Sequence, residues 1–154
     1  MYRVRLWSAR NSRWLVHVYD ALEKTLIALY PLLSRMGHER LDRVLMLLEK
    51  PVKGLLFDSQ SCGQCTLTST GMSCPMNCPK TLRNGPCGGV RADGGCEVKP
   101  EMLCVWVSAW EGSRHMREGE QAIQIIQSPV DNRLRGSSSW LRAAKQRLSK
   151  NDAV

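Results

Sequence analysis

Seven cysteines constrain the fold of this chain more than any other feature, because all of them fall between residues 62 and 104. Their spacing is C-x2-C-x8-C-x3-C-x8-C-x8-C-x7-C. The count is odd, which fits poorly with a framework of paired disulfides. No secretory signal and no apolar run of membrane-spanning length is visible, so we expect a cytoplasmic protein, in which disulfides are rare. The cysteines are therefore predicted to bind metal.

Glycine and proline dominate the same stretch, with eleven of these residues between positions 58 and 104 and no apolar periodicity. Such a composition predicts loops rather than regular helices or strands. Irregular chain of this length is expected to bury too little apolar surface to offset its conformational entropy. Metal ligation is the expected substitute, because metal binding can contribute folding free energy directly.

The residues before the cysteines begin with a predicted amphipathic helix. Ser12 is a plausible N-cap, and Pro31 and Gly37 are signals that kink or stop a helix. Apolar residues recur at three- and four-residue spacing, which indicates one buried helical face. That face consists of Trp14, Val18, Leu22, Leu26, Leu29 and Leu33.

A second helix is predicted from Glu39 to Lys50. Pro51 is expected to end it, because proline inside a helix removes a hydrogen bond and clashes with the preceding turn. Residues 52–57 would then form a short apolar connector to the cysteines. The inward face is predicted to hold Leu41, Val44, Leu45 and Leu48.

The residues after the cysteines return to helical periodicity. One helix is predicted from Arg117 to Gln127, with Ala122, Ile123 and Ile126 on one side. Ser137 or Ser138 can cap a last helix, whose apolar face carries Trp140, Leu141, Ala144 and Leu148. The whole chain is thus predicted to be a small α-helical protein with a loop-rich, metal-stabilised cysteine segment between helical flanks. Its predicted regions are a helical N-terminal region (1–57), a cysteine-rich metal-binding domain (58–110) and a helical C-terminal tail (111–154).

Four cysteines at the start of the segment suit an iron–sulfur cluster. Cys62 and Cys65 form a C-x2-C pair, which lets two thiolates reach one metal from a tight turn. Cys74 and Cys78 are each followed by proline, a pattern found in ferredoxin-like cluster loops. Four thiolates would suffice for one [4Fe–4S] cluster.

Three cysteines remain, namely Cys87, Cys96 and Cys104, and with one other ligand they would make a zinc site. His115 is the nearest nitrogen ligand downstream, although its sequence context favours a surface histidine. The turn Asn84–Gly89 places glycines around Cys87, which permits backbone N–H groups to approach the sulfur; a plain tight turn with a buried thiol is the alternative. Sequence order does not fix which cysteines share a site, so iron–sulfur and zinc both stay open.

Several common functions lack their motifs in this sequence. There is no Gly-x-Gly-x-x-Gly or Walker loop and no evident Ser/His/Asp set. The chain is also shorter than the barrel enzymes of about 250 residues. We therefore assign no catalytic residue. The net charge of +8 permits a zinc-ribbon-like nucleic-acid module, but the basic residues are scattered along the helical flanks, which makes this the weaker alternative.

The cysteine segment resembles the cysteine-rich methylenetetrahydrofolate reductase C-terminal family. The resemblance is carried by the run CGQCTLTSTGMSCPMNCPKTLRNGPCGGV from Cys62 onward, and by CEVKP and CVW around Cys96 and Cys104. It covers at least residues 58–110. That family occurs behind a reductase barrel or as a separate small subunit beside it, as in the acetogen-type reductase.

The resemblance implies an accessory subunit rather than a complete enzyme. Its partner would be the flavin-dependent catalytic subunit of a methylenetetrahydrofolate reductase, a TIM barrel that carries the FAD. The small subunit would hold a [4Fe–4S] cluster, Zn²⁺ or both, and relay electrons to that flavin. A purely structural zinc scaffold, which links the reductase to other one-carbon or corrinoid methyltransferase proteins, is the alternative. The candidate metal ligands are Cys62, Cys65, Cys74, Cys78, Cys87, Cys96 and Cys104.

Five tryptophans in so short a chain are a further signal. Tryptophan is enriched among the residues that anchor protein interfaces, so we expect exposed apolar faces of the flanking helices to contact the partner. The alternative is that the tryptophans fill a small core around the metal loops. The five are Trp7, Trp14, Trp106, Trp110 and Trp140.

Overall fold

Helices occupy both ends of the chain and loops occupy its middle. The computed structural model describes residues 2–151, apart from the side chains of Tyr2, Met36, His38, Lys150 and Asn151. The helices in this range are α1 (Tyr2–Arg10), α2 (Ser12–Leu33), α3 (His38–Phe57), α4 (Val105–Arg114), α5 (Gly119–Ala122) and α6 (Ser139–Asn151). Between α3 and α4 the described chain forms only one 3-10 turn, Pro75–Asn77, and two isolated β-bridges. The prediction of a small helical protein with a loop-rich cysteine segment is confirmed.

The start of α2 differs from its prediction. Asn11 occupies the N-cap position, and Ser12 is the first helical residue. The Ser12 hydroxyl instead donates to the carbonyl oxygen of Gly112 in α4, at 2.7 Å. At its other end α2 continues two residues past Pro31 and passes through a 3-10 turn to Gly37, whose φ of +85° suits glycine. Ser12 therefore joins two helices rather than capping one.

Helix α3 runs through Pro51 and ends at Phe57, so the predicted stop and the predicted connector over 52–57 are both wrong. Proline at this position disturbs the carbonyl one turn earlier, which belongs to Leu47. Leu47 and Pro51 are both exposed, so water can satisfy that carbonyl. The helix then stops at Asp58, which adopts a left-handed conformation with φ of +51°.

The core consists of three clusters of buried side chains, and the cysteine segment contributes to them. Leu67 and Met72 from the loops pack with Leu15 of α2 and Phe57 of α3. A second cluster joins α3 to α6, and a third surrounds Trp106 of α4. Apolar packing therefore contributes part of the stabilisation of the cysteine loops that the sequence analysis expected from metal binding.

The predicted inward faces of α2 and α3 are partly wrong. Leu41 and Leu45 are buried as expected, but Val44 and Leu48 are exposed, and so are three residues of the α2 face, Trp14, Val18 and Leu29. Charged side chains take the inward positions instead: Glu23 of α2, and Glu49 and Lys53 of α3, are each 5% exposed or less.

The C-terminal region follows its prediction in α6 and departs from it in α5. The Ser138 hydroxyl accepts a hydrogen bond from the Leu141 backbone N–H at 3.2 Å, as an N-cap does. Trp140, Leu141 and Ala144 are buried. Helix α5 is only four residues long, and Ile126 lies outside it and is 86% exposed. Over the described residues, no helix combines the length and the apolar character that a membrane crossing requires.

Candidate metal centre

The first three cysteines of the segment are largely enclosed by the fold, and Cys65 packs against the core cluster that contains Cys74. Cys62 and Cys74 are buried and Cys65 is half-buried, and all seven cysteines of the chain are free thiols. The pKa of the Cys74 thiol is raised to about 11, mainly by burial and to a smaller extent by the neighbouring Cys65 and Cys62. Cys62 and Cys65 lie near enough to Cys74 to act on it electrostatically, and the binding of one metal by these cysteines stays a prediction.

The C-x2-C turn is held in place by the segment that precedes α6. Gly63, between the two cysteines, has a φ of +75°, and a Cβ there would approach the Leu134 carbonyl oxygen to under 3.0 Å. Arg142 donates to the carbonyl oxygen of Gly63. The backbone N–H of Gly136 donates to the carbonyl oxygen of Ser61 at 3.1 Å. Only glycine fits this close approach of two backbones.

Two polar side chains donate hydrogen bonds to the sulfurs of this pair. The Tyr19 hydroxyl lies 3.4 Å from the Cys65 Sγ, and Nη1 of the buried Arg83 lies 3.8 Å from the Cys62 Sγ. Burial, followed by the charge and hydrogen bond of Cys65, raises the pKa of Tyr19, so the phenol keeps its proton and donates. Arg83 also donates to the Gln64 carbonyl at 2.7 Å. Donors of this kind stabilise thiolate ligands, and no local sequence pattern pointed to either residue.

The buried ion pair between Lys53 and Glu49 lies against the ring of Tyr19. The Lys53 ammonium lies 2.8 Å from a Glu49 carboxylate oxygen and 2.6 Å from the Ser139 hydroxyl. It also sits 5.3 Å from the centre of the Tyr19 ring and 5.0 Å from that of Trp140, within the range of cation–π contacts. The inward-facing Lys53 of α3 thus contacts both the start of α6 and Tyr19, which in turn donates to Cys65 of the cysteine turn.

Acid is expected to weaken this pair, because Glu49 contributes stability only while it is ionised. Burial alone would raise the pKa of Glu49, but the Lys53 charge and hydrogen bonds from Lys53, Ser138 and Ser139 outweigh it and lower the pKa. The contribution is therefore complete above the unfolded-state value of about 4.3 and is lost as pH falls through the lower folded-state value. Urea unfolding between pH 6 and pH 3 should show a steeper loss below about pH 4 in the wild type than in Glu49→Gln. Equal slopes would contradict the assignment.

Cys78 follows a short turn that both Cys-Pro pairs shape. Pro75 is the first residue of the 3-10 turn between Cys74 and Cys78, and the Cys78 N–H donates back to the Pro75 carbonyl at 3.0 Å. The Asn77 amide donates to the Asp58 carbonyl at 2.9 Å, which ties the turn to the end of α3. Cys78 is half-buried.

Cys87 lies apart from the first group, in an exposed position beside a carboxylate. Its Sγ is 3.4 Å from a Glu97 carboxylate oxygen, which also pairs with Lys80. The Lys80 hydrogen bond lowers the pKa of Glu97, and the Cys87 contact lowers it further. A Cβ at Gly89 would collide with this carboxylate, so the glycine makes room for Glu97. Glu97 offers an oxygen ligand beside Cys87 that the cysteine spacing did not indicate. His115, the nitrogen ligand considered in the sequence analysis, is exposed at the end of α4.

Cys96 and Cys104 are placed by backbone pairing. Cys96 bridges to Val90, and its N–H donates to the Met102 carbonyl at 2.9 Å. Cys104 is buried immediately before α4, and its N–H donates to the Gly94 carbonyl at 2.9 Å. The turns that connect these cysteines are therefore fixed by hydrogen bonds.

The donor set suits a soft metal, but the side chains do not form a finished coordination shell. Free thiols are the preferred ligands of zinc and iron–sulfur clusters. Between residues 2 and 151, however, no three Cys, His, Asp or Glu side chains are arranged to hold a metal ion. The chemistry of the donors fits these groups, and the ligand role of each of the seven cysteines stays a prediction.

An apolar cavity of about 580 Å³ opens beside the turn Asn84–Gly89. Trp106 and Trp110 of α4 line it together with Ile125 and Ile126. The Asn84 side chain fixes one wall, because its amide donates to the Gln127 carbonyl at 2.8 Å and its oxygen accepts from the Gln127 N–H at 2.7 Å. Trp106 and Trp140 are buried, whereas Trp7, Trp14 and Trp110 are 43–48% exposed, so an interface role of the exposed tryptophans stays a prediction.

Comparison with known proteins yields one match. A family model described as methylene-tetrahydrofolate reductase C terminal matches residues 38–133. The matched segment begins with α3, covers more than half of the chain and includes all seven cysteines. No curated protein and no solved structure matches the chain.

Proposed function

Because this chain belongs to the methylene-tetrahydrofolate reductase C-terminal family, we propose that it is an accessory metal-binding subunit of a heteromeric methylenetetrahydrofolate reductase. The observation that carries the proposal is that the family match spans every cysteine of a chain whose thiols are all free. Flavin and folate chemistry would belong to a TIM-barrel partner, since this chain is too short to contain such a barrel.

The proposed ligands fall into an inner and an outer group. Cys62, Cys65 and Cys74 would bind from the protein interior, with Tyr19 and Arg83 donating to two of the sulfurs. Cys78 would join them from the Pro75–Asn77 turn. Cys87, Cys96 and Cys104 would form the outer group, with Glu97 within reach of Cys87. A bound iron–sulfur cluster would supply one-electron transfer toward the partner's flavin, whereas a zinc ion would supply only a structural cross-link.

The structural scaffold is the second candidate, and a specific observation favours it. Leu67 and Met72 anchor the cysteine loops in the apolar core. The loops therefore already have a folded framework, and a metal could serve only to tighten it. Under this alternative the protein would join the reductase to other one-carbon or corrinoid methyltransferase components without passing electrons.

Metal analysis after anaerobic purification tests the proposal. The wild-type chain, co-expressed with the catalytic subunit, is expected to elute with it. The purified complex should carry iron, zinc or both, as measured by elemental mass spectrometry. Cys62→Ser combined with Cys65→Ser should lose the metal of the inner group, because two of its soft ligands are removed. Thr68→Ser, a change in the same loop that removes no sulfur, should keep it.

The outcomes separate the candidates. Bound iron with an electron paramagnetic resonance signal that changes on dithionite reduction would support the electron relay. Zinc alone, with no such signal, would leave the structural scaffold. A wild-type chain without iron or zinc would refute metal binding of either kind.

A further inference from the structure

The outward face of α3 carries a continuous row of large apolar side chains. Leu47, Leu48 and Leu55 are 59–70% exposed, and Val44 and Val52 are 44–45% exposed. Their positions follow the spacing i, i+3, i+4, i+8 and i+11, which places them on one side of a helix. We name this row, together with Pro51, the α3 stripe. Apolar stripes of this kind on a protein surface mark places where another molecule packs.

The buried residues of the same helix explain why the stripe faces outward. The positions that face the core hold Leu41, Leu45, Glu49, Lys53 and Phe57, all of them buried. Glu49 and Lys53 are fixed there by each other and by α6, since Ser138 donates to Glu49 at 2.6 Å. Rotating the helix to bury the leucines would break these bonds and expose three other core side chains, Leu41, Leu45 and Phe57. The α3 stripe is therefore a built feature of the folded chain.

Charge along the stripe restricts what can cover it. Four charged side chains of α3 are exposed, namely Glu39, Arg40, Arg43 and Lys50. Arg43 and Lys50 lie on the same edge of the stripe by helical geometry, with Glu39 one turn before Arg43, so the edge has a net positive charge. Neither basic side chain makes an ion pair with another described residue. An antiparallel pairing of two α3 helices would set this edge against its own copy, which like charges disfavour. A partner with acidic residues beside an apolar ridge is complementary instead.

We propose that the α3 stripe is the surface that binds the reductase catalytic subunit, through an amphipathic helix of that subunit with an acidic edge. This inference rests on the proposed function. A further observation supports it: the segment that matches the family begins at residue 38 and therefore contains all of α3 and none of α2 or α6. A surface shared by the family is the expected place for the contact with the reductase.

Binding of the intact chain to the purified catalytic subunit tests the inference. Leu47→Gln combined with Leu55→Gln should raise the dissociation constant by at least about 30-fold, because central apolar anchors dominate interface energies. Arg43→Glu combined with Lys50→Glu should weaken it too and should reduce its dependence on salt. Circular dichroism and the melting temperature should stay close to wild type, since these side chains are exposed.

A matched change elsewhere separates this face from general surface effects. Leu32 of α2 is 60% exposed and lies outside the family segment, so Leu32→Gln should bind as the wild type does. If the stripe variants bind with unchanged affinity while the complex still forms, the inference is wrong and the proposed function stands. If sedimentation shows a dimer of this chain that the stripe variants abolish, a second copy covers the face and the inference is wrong. If the wild type does not bind the catalytic subunit at all, both fail.

Discussion

Replacing Lys53 with methionine is expected to lower the free energy of unfolding by about 3–5 kcal/mol, although the change removes only one surface-type residue from a helix. Lys53 is 2% exposed and neutralises Glu49, which is equally enclosed. Methionine would fill a similar volume but would leave a buried carboxylate without its countercharge. The penalty is the cost of holding that charge unpaired or of neutralising it with a proton, rather than lost packing.

The loss should spread beyond α3, because Glu49 also holds the start of α6. Its carboxylate accepts hydrogen bonds from the backbone N–H groups of Ser139 and Trp140, at 3.2 and 3.3 Å. Protonation of Glu49 in the variant would weaken these bonds, since a neutral carboxyl is a poorer acceptor. Hydrogen exchange should therefore show faster opening of the first turn of α6 as well as of α3.

Denaturant unfolding and thermal unfolding both measure the effect of Lys53→Met. A lysine on the neighbouring helix supplies the control. The melting temperature of Lys53→Met should fall by about 10 °C. Lys24 of α2 is exposed, so Lys24→Met should change the free energy of unfolding by no more than about 0.5 kcal/mol. Equal effects of the two changes would show that Lys53 does not support a buried charge.

Local signals in the sequence located α2, α3, α6 and the loop-rich cysteine segment, but they did not specify α1 or α4 and they made α5 too long. Glycine and proline density marks the loops, and apolar periodicity marks the flanking helices. Periodicity did not determine which side of α3 faces inward, because apolar residues occur on both sides. The deciding contacts, from Glu49 to Ser138 and Ser139, join residues about 90 positions apart, and no local pattern records them.

The cysteines of the candidate site could be named from the sequence, but the groups that surround them could not. The spacing predicted a first group of Cys62, Cys65, Cys74 and Cys78, and their shared metal stays a prediction. Tyr19 and Arg83 reach the sulfurs from 46 and 21 positions away. Each looks like an ordinary helical or loop residue in the sequence. Long-range packing alone places them at the cysteines.

The contact between the cysteine loops and α4 leads to the second large expected effect, in which Gly112→Ala lowers the free energy of unfolding by about 3 kcal/mol. A Cβ at Gly112 would come within 3.0 Å of the backbone of Gly71, including its carbonyl oxygen. Gly71 has a φ of +56° and is enclosed by Ala109 and Ser113, so its backbone has no free space into which to move. The Ser12 hydroxyl holds the Gly112 carbonyl from the other side.

The sign of this effect distinguishes close packing from helix propensity. Alanine is intrinsically favoured over glycine inside a helix by about 1 kcal/mol, so without the contact Gly112→Ala would stabilise α4. Gly54, inside α3, has no neighbouring atom within 4 Å of its Cβ position, and Gly54→Ala should therefore raise the free energy of unfolding by up to about 1 kcal/mol. Opposite signs for the two substitutions in urea unfolding would support the close approach of Gly71 to Gly112. If both substitutions stabilise the protein, the loops do not pack on α4 at this point, and the burial of the inner cysteines would need another explanation.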